Sequence, residues 1–121
     1  MKIFILEDDI NRITKFRQKL HRHTVTYCDY VEEAKRLLEK EKYDVIFFDH
    51  DLDGRIMVDS NDPNTGYQLA KWIKEKGLKF DQIVIHTCNP VGGNNIQKEV
   101  EGCSENILRM PFPILIEAME G

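Results

Sequence analysis

Three cysteines in 121 residues, Cys28, Cys88 and Cys103, form an odd set without CxxC spacing. That pattern excludes a disulfide framework and a zinc knuckle, and free thiols suit a reducing compartment, so a cytoplasmic location is expected. No apolar run approaches the ~20 residues a membrane span needs. The longest strand-like runs are Val45 to Phe48 and Ile83 to Ile85. The N-terminus turns acidic at Glu7, too soon for the apolar core of a signal peptide. Repeats, linkers and low-complexity segments are missing as well. Basic charge is not in excess: 17 Lys and Arg face 21 Asp and Glu, a net charge of −4. That balance disfavours a nonspecific grip on nucleic acid, and no DNA-reading motif is present. What the chain does have is 41% hydrophobic residues, enough for a core that needs no staples. Charged residues make up 31% and are spread along the chain, which argues against disorder. The expectation is one domain over residues 1–121, with no output domain.

Apolar runs alternate with amphipathic stretches. Lys2 to Leu6 reads as a strand, and Ile10 to His21 as a helix with Ile13, Phe16 and Leu20 on one stripe and Lys and Arg on the other side. Thr24 to Tyr27 is a second strand. Asp29 with Glu32 predicts a capping box ahead of a helix faced by Val31, Ala34, Leu37 and Leu38. Asp44 to Phe48 is a continuous apolar strand of the kind covered on both faces. Asp51 to Thr65 collects turn residues and reads as a loop. Gly66 to Lys76 is a helix stopped by Gly77. Gln82 to His86 is a fourth strand, Asn89 to Gly93 a turn, Asn94 to Glu101 a short helix, Asn106 to Met110 a fifth strand, and a brief helix follows Pro111-Phe-Pro.

This alternation predicts an α/β fold: a doubly wound, flavodoxin-like domain of five parallel strands in the order 2-1-3-4-5, with helices on both faces. Such sheets bind ligands beyond the carboxyl ends of their strands. Those ends carry Glu7-Asp8-Asp9, Asp49-His50-Asp51, His86-Thr87 and Met110-Pro111. Crowded carboxylates repel one another at low dielectric, and a hard divalent cation, Mg²⁺ or Mn²⁺, relieves that repulsion. Asp9 has a simpler explanation as the N-cap of the helix at Ile10.

Glu7-Asp8 after the first strand, Asp49 after the third, Thr87 after the fourth and Pro111 after the fifth resemble a response-regulator receiver domain. The resemblance implies an acid pocket of Glu7, Asp8 and Asp49. Asp8, Asp49 and the Asp51 carbonyl would hold Mg²⁺, Asp49 would accept a phosphoryl group and Thr87 would hydrogen-bond it. Receivers carry a lysine before the proline after strand five, and this chain has Met110 there. The segment from Asp49 to Gly66 is also longer than in most receivers, and the terminal helix is short. Asp49-His50-Asp51-Leu52, Thr65-Gly66-Tyr67 and His86-Thr87-Cys88-Asn89-Pro90-Val91-Gly92 resemble, more specifically, the divergent cyclic-phosphate-processing receiver group. That group is associated with RNA-end repair and prophage-type contexts. The resemblance implies a phosphate-containing small molecule or an RNA end as substrate.

Histidine exchanges protons near neutral pH, so His50 and His86 are candidates to share proton transfer, with Asp49 and Thr87 beside them. Asn89 and Gly92, ahead of a helix, are candidates to receive an anion on their amides. Three functional classes stay open: a metal-dependent phosphoesterase, a receiver phosphorylated on Asp49 by a histidine kinase, and a pseudo-receiver that binds another protein.

Overall fold

The computed structural model describes residues 1–120. Five strands, β1 (Lys2–Leu6), β2 (Thr24–Cys28), β3 (Val45–Phe48), β4 (Gln82–Ile85) and β5 (Ile107–Arg109), form one parallel sheet in the order β2-β1-β3-β4-β5. Five helices connect and close them: α1 (Ile10–Lys19), α2 (Val31–Lys40), α3 (Gly66–Lys76), α4 (Pro90–Val100) and α5 (Phe112–Ala118). The fold class and strand order expected from the alternation are those observed. No helix among the described residues is long and apolar enough to cross a membrane.

Successive strand residues point to opposite faces, and here both faces are buried. Phe4, Leu6, Ile46, Phe48, Ile83 and Ile85 pack under α2, α3 and α4. Ile3, Ile5, Val45, Phe47 and Val84 pack under α1 and α5, against Phe16, Phe112 and Leu115. This explains why β3 reads as an unbroken apolar run rather than an alternating one.

Two local expectations are corrected. The α2 N-cap is Tyr30, which makes no side-chain cap bond, so no Asp29–Glu32 capping box forms. The Val31 amide is satisfied from a distance instead, by Asn64 Oδ1 at 2.8 Å. The expected turn from Asn89 to Gly93 is the first turn of α4: Asn89 caps it, its side chain accepting from the Gly92 amide, and Pro90 sits at N1. Proline there loses no intrahelical bond, and that outweighs the turn signal of the two glycines. At the other caps the sequence signals hold. Asp9 Oδ1 accepts from Asn11 and Arg12, and Gly77 ends α3 in the left-handed region at φ 70°.

Candidate functional site

Strand register builds the site. Leu6, Phe48 and Ile85 are aligned across β1, β3 and β4, and Ile85 is aligned with Arg109 of β5. The next row, just beyond the strands, is therefore Glu7, Asp49, His86 and Met110. The ladder continues through it: the amides of Asp49, His86 and Met110 donate to the carbonyls of Leu6, Phe48 and Ile85. Alternation turns this row to the α1/α5 face. Ligating atoms of Glu7, Asp49 and His86 lie within 4.8 Å of one another, and all three side chains are buried.

His86 is fully buried against Phe16, Phe47 and Phe112. Its Nε2 meets Glu7 Oε1 at 2.9 Å, while Nδ1 has no hydrogen-bond partner among the described residues. Neutral imidazole donating Nε2–H to Glu7 leaves Nδ1 a bare acceptor, whereas imidazolium would bury an unpaired N–H. Burial accordingly pushes His86 down to about 4. Glu7 Oε2 accepts from the amides of Asp8 and Asp9 at 3.0 and 3.1 Å. Burial still raises the Glu7 carboxyl, with the Asp9 amide and Arg12 opposing. Asp49 accepts from the His50 amide at 2.8 Å. Burial drives it up to about 7, Glu7 adds to the rise, and His86 and Arg12 oppose it. Burial thus raises both of these neighbouring carboxyls above their ordinary values.

Above this row opens a cavity of about 520 Å³, lined among others by Glu7, Asp8, Arg12, Asp49, Thr87 and Asn89. Asp8 Oδ2 accepts from the Gly54 amide, which ties the long loop over the pocket. Thr87 is buried, and its Oγ1 accepts from the Asn89 amide at 3.1 Å. Arg12 is the residue the sequence reading misplaced on the solvent side of α1. It is half-buried at the pocket wall, Nη1 lying 3.7 Å from Glu7 Oε1 and its guanidinium stacked on Phe112 at 5.0 Å. The one available signal was its place in the first turn of α1, three residues after the Asp9 cap. Met110 packs with the α1/α5 core, so the row holds no lysine, and Arg109 faces the other way, donating to the Pro90 carbonyl at 3.0 Å.

His50 does not share this space. One residue past Asp49, it turns to the α4 face, where a Cβ on Gly92 would fall 2.3 Å from its ring. Its Nδ1 meets Asp51 Oδ1 and its Nε2 meets Ser60 Oγ, both at 2.8 Å. Asp51 also accepts from Met57, Val58 and Asn89 Nδ2. Burial works against the Asp51 carboxylate, but the bonds from His50, Asn89, Met57 and Val58 outweigh it and hold its pKa below the ordinary value. In the same loop Asp53 and Met57 adopt left-handed backbone, φ 60° and 50°, a conformation that costs roughly 1–2 kcal/mol per residue, and the Met57 amide is tied to Asp51 Oδ2. The Gly92 amide is taken by Asn89 Oδ1 at 3.0 Å, so neither Asn89 nor Gly92 presents a free anion cradle.

A receiver-type sheet with acids at its central strand ends defines the class, and solved structures agree. The chain is similar to a CheY-like receiver domain from Methylobacillus flagellatus (20% identity, 97% of each chain, TM-score 0.61). It is also similar to the BeF3-activated receiver domain of Klebsiella pneumoniae RstA (22% identity, 97% of this chain and 93% of that one, TM-score 0.64). Thermotoga maritima TrrA in complex with Mg²⁺-BeF matches too (17% identity, 96% and 93%, TM-score 0.65). At these identities the likeness establishes the fold. No curated protein matches the chain. Residues 1–102 match the cyclic-phosphate processing receiver domain, and the chain belongs to that family.

Proposed function

We propose that the chain hydrolyses cyclic phosphates, free or at RNA ends, in the pocket over Glu7, Asp49 and His86. The observation that carries this reading is the buried row itself: two neighbouring buried carboxyls, an imidazole bonded to one of them, and Arg12 at the pocket wall beside Glu7. The donor set fits a divalent metal, because a cation offsets the burial and the neighbouring Glu7 charge that together raise the Asp49 carboxyl. Asp8 and Asp49 would hold it with the Asp51 carbonyl, with Glu7 assisting through water, while His86 is committed to Glu7 through its Nε2–H. An all-oxygen set of this kind suits Mg²⁺ or Mn²⁺. When bound, the metal supplies Lewis-acid neutralisation of phosphoryl charge.

The chain's own residues supply the rest. Arg12 and the Thr87 hydroxyl bind phosphoryl oxygens. Glu7, its carboxyl raised by burial and oriented by His86 and two amides, takes the proton of the attacking water and returns it to the leaving oxygen. His86 is a positioning residue acting through Glu7. His50 holds the acid loop.

A screen of nucleoside 2′,3′-cyclic phosphates and cyclic-ended RNA with Mn²⁺ or Mg²⁺ tests the reading. Turnover should require Glu7, and Arg12→Ala should raise KM about 10- to 100-fold, the loss of a charge-assisted contact. No turnover of any cyclic phosphate by folded, metal-loaded protein would falsify it. Calorimetric titration should find Mg²⁺ or Mn²⁺ bound by the parent protein and bound more weakly by Asp49→Asn. Equal binding by the two proteins would remove Asp49 from the donor set.

The second reading, a phosphoacceptor receiver served by a histidine kinase, is favoured by Asp49 standing beside Thr87 at the pocket floor. The row has no lysine to balance an aspartyl phosphate, so acetyl phosphate should modify Asp49 weakly. Long-lived stoichiometric modification, read by intact mass, would put signalling first.

A further inference from the structure

On the α4 side, away from the acid row, a second constellation has formed. Asp51 Oδ1 lies 2.8 Å from His50 Nδ1, and His50 Nε2 lies 2.8 Å from Ser60 Oγ. Asp51 Oδ1 is the closer partner of Nδ1, ahead of Asn89 Nδ2 at 3.3 Å, so the carboxylate draws the proton to Nδ1 and Nε2 is the acceptor for the Ser60 hydroxyl. That is the carboxylate–imidazole–hydroxyl order that activates a serine, recognisable by geometry whatever the chain order.

The support around it is rigid. His50 is fully buried and lies on Gly92, where any side chain would displace it. The Ser60 carbonyl accepts from Gln68 Nε2 at 2.7 Å, which anchors the serine backbone to α3. Asn95 Nδ2 of α4 donates to Ser60 Oγ at 2.9 Å. Ser60 itself is half-exposed and opens on a neighbouring cavity of about 690 Å³, which meets the acid pocket at Met57 and Asn89. The walls of that cavity decide the substrate class. They include Met57, Val58, Tyr67, Pro90 and Val91, with Asp59 as the one charged residue and no Lys or Arg. A phosphate dianion would be repelled there, and an uncharged acyl group fits.

We propose that Ser60 is a nucleophile activated by His50 and Asp51, acting on small uncharged esters in this second cavity. Ser60 Oγ bonds to the carbonyl carbon while its proton passes to His50 Nε2, and Asp51 offsets the imidazolium charge. The ester C–O bond then breaks, and the alcohol leaves with the proton from Nε2. Water repeats the sequence: its oxygen bonds to the acyl carbon, its proton goes to Nε2, and Ser60 departs and recovers that proton. Asn95 Nδ2, 2.9 Å from Ser60 Oγ, holds the nucleophilic oxygen in place.

The test uses a fluorophosphonate probe and p-nitrophenyl acetate on the full chain, with chelator present so that no metal-dependent reaction contributes. Intact mass should show one adduct with loss of fluoride, and peptide mapping should place it on Ser60. His50→Gln should slow labelling by at least about 100-fold, in line with general-base contributions, while circular dichroism remains that of the parent. If His50→Gln fails to fold, Asp51→Asn serves the same comparison. Ester turnover should disappear in Ser60→Ala, and p-nitrophenyl phosphate should not be hydrolysed under chelator. An unlabelled Ser60 in the folded parent, equal labelling of the parent and the folded variant, or ester turnover that survives in Ser60→Ala would overturn the proposal and leave the three residues as a tether for the loop.

Discussion

Asp49→Asn is expected to stabilise the metal-free protein at pH 8 by on the order of 2–4 kcal/mol, and to stabilise it far less at pH 4. Burial beside Glu7 lifts the Asp49 carboxyl to about 7 in the folded protein, against an ordinary value of 3.8. Between those values the folded protein retains a proton that the unfolded chain has released. The contribution to stability is therefore fully present below the unfolded value and is lost as pH rises through about 7. Asparagine keeps the geometry of the protonated acid, accepting from the His50 amide and donating toward Glu7, so the variant escapes that loss. His86 works in the opposite sense, since burial holds it down to about 4 and stability falls as pH drops below 6.5 toward that value. Asp49 and His86 act on each other's ionisation, so the difference between parent and variant reports chiefly on Asp49 only above pH 6.5, where His86 is neutral in both folded and unfolded protein. Thermal melts of the two proteins from pH 4 to 8 give the comparison, with saturating Mn²⁺ expected to narrow the gap at pH 8. A variant that melts lower at every pH would show that Asp49 is not strained by its burial.

Gly66→Ala should destabilise by roughly 3 kcal/mol or more, among the larger single-residue losses. A Cβ at this position would lie 1.9 Å from the Asp49 carbonyl oxygen and 3.1 Å from the His50 Cα, both backbone atoms with no rotamer to change. Gly66 is thus the point where the returning loop presses α3 onto the strand end that carries Asp49 and His50, and its amide donates to the His50 carbonyl at 3.0 Å. Any relaxation that admits the methyl group must move that strand end, so loss of metal binding should accompany loss of stability. Urea unfolding with metal titration would reveal both. By contrast, Gly54→Ala meets no atom within 4 Å and costs only its left-handed backbone at φ 68°, about 1 kcal/mol. Comparable losses in the two variants would discount the close approach at Gly66.

Much of this protein is legible in its sequence. Apolar runs of four or five residues between amphipathic stretches fix the strands and helices, since each pattern can bury its apolar residues in only one way. The continuous run of β3 predicts burial on both faces, and the acids after Leu6 and Phe48 locate the chemistry at the carboxyl edge. Local signals also place the caps at Asp9 and Gly77, where partner and donor are only a few residues apart. Whatever depends on register and on facing elements was settled by the tertiary structure. Only the alignment of Leu6, Phe48 and Ile85 puts Glu7, Asp49 and His86 in one row, and the same alternation sends His50, one residue further, through to the other face. Sequence shows two histidines after two strands, but not that one lies beneath the acids and the other points to Ser60. Arg12 reads as one of several cations on α1 until the pitch of that helix over the sheet brings it to the pocket. The Asn64 bond to Val31 spans 33 residues, and the capping box it replaces is a local pattern that a distant partner outcompetes. Local periodicity determines elements, because it acts through neighbours in the chain. Sites are decided by contacts between elements, which no local pattern encodes.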